Sequence, residues 1–142
     1  MEKALSVLTI LVVVQLVAVP FWTVEAQRED VKRLLKRLEE NTDRFSKSLD
    51  SALDRSVLNG TKAEDEINGY VHQFEEATDR LKDRYEDQGA APGAAREVLN
   101  RGQAIDRFMR HNRLGGRAES DWQIVRSDLN LLARTYRINW RW

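Results

Sequence analysis

Cysteine is absent from the 142 residues of the chain, and several chemistries leave with it. No disulfide can staple the fold even in an oxidising compartment, no Cys-x-x-Cys-His can attach a c-type haem, and there is no thiol to lipidate. Histidine is almost as scarce. The residues three before His72 and His111 are Gly69 and Phe108, not the glutamates of a di-iron Glu-x-x-His motif. His72 shares a helix face with Glu75 and Glu76, but that set lacks the third strong ligand of a zinc site. There is no Gly-x-Ser-x-Gly elbow. Carboxylate pairs such as Glu39-Glu40 and Glu75-Glu76 read as the wet face of amphipathic helices. The expectation is therefore a protein with no catalytic residue, no metal and no cofactor, stabilised by packing alone.

Charge is missing from one long stretch. After Met1-Glu2-Lys3, the 19 residues from Ala4 to Trp22 carry none, and Thr23-Val24-Glu25-Ala26-Gln27 follows. A basic residue, an apolar run and then Val24 and Ala26 flanking a cut are the layout of a secretory signal, residues 1–26. Pro20 is expected to break the apolar helix and leave the cleavage stretch extended. The alternative is an uncleaved anchor, since a spanning helix needs roughly 20 apolar residues. In either case 27–142 reads as one domain of 116 residues, exported to the periplasm or beyond.

Four amphipathic stripes fill that domain. Val31, Leu35, Leu38, Thr42, Phe45, Leu49, Ala52 and Ser56 recur at steps of four and three, widened by Leu34 and Leu53, and predict a helix over about 28–58 that stops at Asn59-Gly60. Thr61-Lys62-Ala63-Glu64 reads as a capping box opening a second helix, 62–88, with Ile67, Tyr70, Val71, Phe74, Ala77, Thr78, Leu81 and Tyr85 inward and Gly69 marking a close helix contact. Pro92 suits the start of a third, 93–113, burying Ala95, Val98, Leu99, Ile105, Phe108 and Met109. A fourth, 118–137, shows Ala118, Trp122, Val125, Leu129, Leu132 and Tyr136 strictly four and three apart. Short connections predict an all-α, antiparallel, up-down-up-down four-helix bundle. Its first two helices would be about 40 Å long against about 30 Å for the others, so that the long hairpin projects or bends.

The net charge of zero hides an asymmetry. Gln27 to Gly93 has 12 Lys or Arg against 16 acids, whereas Ala94 to Trp142 has 10 Arg, no Lys and 5 acids. Arg107, Arg110, Arg113 and Arg117 follow steps of three or four, and arginine forks suit phosphate and carboxylate. Either these arginines pair with the acids of the first two helices, or they make a basic surface for an anionic partner. The tail, 138–142, alternates Ile138, Trp140 and Trp142 with Asn139 and Arg141. It either presents an aromatic binding edge, with Trp140 and Trp142 as anchors, or folds back to cap the open end of the bundle. Asp43-Arg44, Asp79-Arg80 and Asp106-Arg107 each precede a large apolar residue. They form a salt-bridged layer, or are a cheaply repeated surface pattern.

Taken together, the export signal, Asp106 to Arg110, Asp121-Trp122 and the terminal Trp140-Arg141-Trp142 resemble a group of small exported bacterial helical proteins of uncharacterised role. The general plan is also similar to that of periplasmic helical stress chaperones. The resemblance implies an envelope location and no activity. The functional expectation is a non-enzymatic envelope protein that binds another protein or an anionic lipid or polymer surface, and not nucleic acid. A second reading is a small metal- or haem-binding bundle using His72 and Met109.

Overall fold

The computed structural model describes residues 21–142, with side chains from Thr23 onward. The uncharged run up to Pro20 lies outside the described residues, and the anchor reading falls there with it. Four helices make up the fold: α1 (Phe21–Asp54), α2 (Lys62–Gln88), α3 (Pro92–His111) and α4 (Gly116–Thr135). Among the described residues none is long and apolar enough to cross a membrane.

Partners across the interfaces give the directions. Glu39 pairs with Lys82 and Arg28 with Tyr85 between α1 and α2; Arg80 pairs with Glu97 and Arg101 with Gln73 between α2 and α3. Asp106 meets Trp122 between α3 and α4, and Arg37 meets Asp128 between α1 and α4. Leu129 also lies against Gly102, and Trp122 against Phe45, so in each adjacent pair of helices the residue number rises on one as it falls on the other; the bundle is antiparallel, up-down-up-down, and α4 closes the ring against α1. α1 packs chiefly on α4 and α2 on α3, while the diagonal pairs nowhere bring Cα atoms within 8 Å. The crevice between α3 and α4 is one of the two looser seams.

The apolar stripes meet as their spacing requires. Leu38, Phe45, Phe74, Leu81, Ile105, Trp122, Leu129 and Leu132 are fully buried in one cluster that all four helices line. At its centre the Trp122 ring lies 5.0 Å from Phe45 and 6.4 Å from Phe74.

Several local expectations are corrected. α1 does not leave residues 23–27 extended. It winds from Phe21 straight through the expected cleavage stretch, because Thr23, Val24, Glu25 and Ala26 are sterically free to continue a helix and no glycine or proline stands between Phe21 and Asp54. At 34 residues it is about 50 Å long. The overhang is thus the start of α1 rather than a whole hairpin. α1 also ends a turn earlier than Leu58: the Ser56 hydroxyl donates to Leu53 O and accepts from Leu58 N, which turns the chain before Gly60 takes φ +74°. The capping box does not form: Glu64 Oε2 accepts from Gly60 N, one residue before the cap, at 2.6 Å, and the Thr61 hydroxyl points back and donates to Leu58 O. Gly69 has open space where a Cβ would stand; the glycine of close approach is Gly102, where a Cβ would lie 2.7 Å from Leu129 Cδ1.

Candidate functional site

The four arginines singled out in the sequence do not share a face. Arg110 and Arg113 line the α3/α4 crevice with Arg126 and Trp142. Arg107 lies one step round α3, in the groove against α2 beside Glu66 and Tyr70. Arg117 lines a third groove, between α1 and α4. A step of three on a helix of 3.6 residues per turn turns by about 60° around the axis, which separates Arg107 from Arg110, while Arg113 lies past the end of α3 and Arg117 belongs to α4.

The α3/α4 crevice is organised by Asp106, 3% exposed. Its Oδ1 accepts the Trp122 indole N–H at 3.0 Å and faces Arg126 Nε at 3.1 Å; its Oδ2 accepts from Arg110 Nε at 2.7 Å. A buried carboxylate is tolerated only with partners of this kind. Of the three Asp-Arg pairs, only Asp106 is buried, and its cations are Arg110 and Arg126 rather than its neighbour Arg107; Asp43 and Asp79 are exposed. The salt-bridged layer is therefore not present.

The tail lies back along the same crevice. α4 ends with Arg137 in the left-handed conformation at φ +53°, Arg137 N donating to Arg134 O and Ile138 N to Ala133 O, which is the Schellman pattern. The chain then reverses. Ile138 is buried and Trp140 and Trp142 are half-buried, while Asn139 and Arg141 face water, as the alternation in the sequence requires. Trp142 stacks edge-on against Trp122 at 6.4 Å, carries the Arg126 guanidinium 4.7 Å above its ring, and donates to Asn130 Oδ1 at 2.7 Å. Arg141 O accepts from Gln103. The tail thus fills the side of the bundle instead of capping its end, because the loose α3/α4 seam leaves room there for the indoles and Gly102 lets Trp142 approach α3.

The charge asymmetry is not consumed inside the bundle. Among the described residues no arginine of α3 or α4 forms an ion pair with an acid of α1 or α2; the pairs that join the halves run the other way, Arg37 to Asp128 and Arg80 to Glu97. Arg110 pairs with Asp106 and Arg117 with Asp121, both on their own helices, the second at 3.9 Å. Arg107 and Arg113 form no ion pair among the described residues.

Three aspartates, Asp106, Asp121 and Asp128, are buried; in the sequence the first two were named only as parts of short motifs, without an expectation of burial, and Asp128 was not singled out. Asp128 receives Arg37 Nε at 2.8 Å and Asn41 Nδ2 at 2.7 Å. The available signal was their spacing, since Asp121 and Asp128 sit seven apart in register with Val125 and Leu132.

His72 and Met109 are not brought together. His72 is exposed on α2 beside Glu76, whereas Met109 is buried against the α3/α4 crevice. Burial, with Asp43 and Asp79 nearby, raises the Glu75 carboxyl above its usual range, which weakens it as a ligand. Among the described residues no three His, Asp or Glu side chains converge on a metal position. No protein-family model, curated protein or solved structure matches the chain.

Proposed function

We propose that the protein is a non-enzymatic, exported envelope protein that holds to an anionic lipid or polymer surface through the arginines of α3 and the start of α4. One observation carries this reading: the arginine-rich half keeps its positive charge outward, because among the described residues none of its arginines forms an ion pair with an acid of α1 or α2. Guanidinium groups left in water beside a partly aromatic crevice suit phosphate and carboxylate groups on a surface. Trp140 and Trp142 support the crevice from within rather than serving as free anchors.

The test is sedimentation with vesicles. At low ionic strength the protein should bind vesicles containing phosphatidylglycerol above a phosphatidylcholine control, and Arg107→Gln, Arg110→Gln and Arg113→Gln together should reduce the excess by about tenfold, roughly 1 kcal/mol or less per exposed charge. Equal binding to both lipids refutes the reading.

One observation favours the second reading, in which residues 1–26 stay as an anchor. α1 runs unbroken from Phe21 into the bundle, a rigid join that would hold the domain at the membrane surface. The amino-terminal sequence of the protein isolated from cells separates the two: Gln27 at the start means a cleaved leader.

A further inference from the structure

The groove between the second half of α1 and the start of α4 is lined by Arg44, Lys47, Ser48, Ser51, Arg55 and Arg117, and by no acid. In a chain with as many acids as bases this is an unusual segregation. Arg44, Lys47 and Arg55 are exposed and form no hydrogen bond or ion pair among the described residues. Arg117, its side chain 83% exposed, has only the 3.9 Å contact with Asp121. Asp43, Asp50 and Asp54 of the same helix do not line the groove.

Four like charges gathered in one trough repel each other, and i,i+3 and i,i+4 neighbours of one sign weaken a helix. Elsewhere on the bundle the same kind of surface is laced with i,i+3 and i,i+4 pairs, as at Lys32 with Glu29 and Lys36 with Glu40. Here an acid at any of the lining positions would relieve the repulsion, and there is none. From Arg44 to the end of α1 at Asp54 the trough extends about 15 Å, longer than one phosphate group and suited to several.

We infer that this groove is a binding site for a compact anion bearing two or more phosphate groups, gripped by the forks of Arg44, Arg55 and Arg117, with Lys47 as a point charge and the Ser51 hydroxyl as a neutral donor. It shares Arg117 with the surface proposed above and is otherwise independent of it. The phosphates belong either to a soluble molecule or to clustered lipid headgroups.

The probe is inorganic tripolyphosphate, titrated calorimetrically into the full chain held in neutral detergent at low salt. Binding should be saturable and one-to-one, and should weaken about tenfold in Arg44→Gln/Arg55→Gln, the loss of at least one charge-assisted contact. Arg96→Gln/Arg134→Gln, outside the groove, should leave it unchanged. The groove variant should melt no lower than the parent, because removing two unpaired like charges relieves repulsion. Binding that is absent, or equal in parent and groove variant, overturns the inference. A second arm names the source. If the groove variant also loses its excess binding to phosphatidylglycerol vesicles, and tripolyphosphate competes for them, the phosphates are those of lipid; if only tripolyphosphate binding falls, the ligand is soluble. Vesicle binding without tripolyphosphate binding sinks the groove and spares the α3 surface, and the reverse result does the opposite.

Discussion

Asp106 shows how one side chain can hold three parts of the molecule at once. It accepts a hydrogen bond from the indole N–H of the central Trp122 and holds one cation from its own helix and one from α4, and the second of these cations covers the terminal Trp142. Replacing it with alanine leaves a buried indole N–H and the mostly buried Arg126 without their acceptor. Asp106→Ala should therefore lower stability by about 3–5 kcal/mol, measured by urea unfolding, and shift the tryptophan emission to the red as Trp142 leaves the crevice. Asp106→Asn, which keeps an acceptor for the indole, should lose less. Such residues were hard to see in the sequence. A carboxylate beside an apolar stripe reads as surface, and its burial depends on an arginine from another helix that local spacing cannot place. Arg126 and Gly102 escaped for the same reason, since their meaning lies in contacts across the α3/α4 seam.

The helices themselves were legible. Steps of three and four in apolar residues dictate both the helix and the face it buries, so the stripes of Phe45, Phe74, Ile105 and Trp122 lead directly to the core observed. Ends were less so, because they rest on single hydrogen bonds. Thr61 and Glu64 have the composition of a capping box, yet the hydroxyl finds Leu58 O instead. The end of α4 is the clearest case: an arginine occupies the left-handed position of a Schellman turn, where glycine is free of the Cβ clash. Arg137→Gly should raise stability by about 0.5–1 kcal/mol, seen as a higher melting temperature with unchanged helicity. A fall instead would mean that the arginine side chain itself secures the tail.

For the whole molecule, the ring order α1-α2-α3-α4 followed from short connections, whereas the unequal tightness of its four seams did not, being set by side-chain volumes at contacts between helices. The site was legible only as a composition. Arginine enrichment in the second half is plain in the sequence, but its division among three grooves is a matter of helix rotation, and the groove at Arg44 combines residues more than 60 positions apart. The core makes its own prediction. Its first buried side chain is Leu34, and Val24 to Asp30 are all exposed. Residues 27–142 alone should therefore unfold cooperatively at the same temperature as the full chain in neutral detergent, by circular dichroism; a broad melt with little helix would mean that the bundle depends on residues 1–26.

The unbroken winding of α1 through Ala26 also sets a clock. A protease that reads its substrate as a stretched strand cannot grip a peptide bond tied into successive helical turns, and here those turns continue to Asp54 without interruption. On the reading proposed above, in which the first 26 residues are removed during export, the cut comes while the chain is still extended, before the coil closes over the bond after Ala26. On the same reading a chain that folds first keeps those residues, and the order of folding and cutting decides between a free protein and a tethered one.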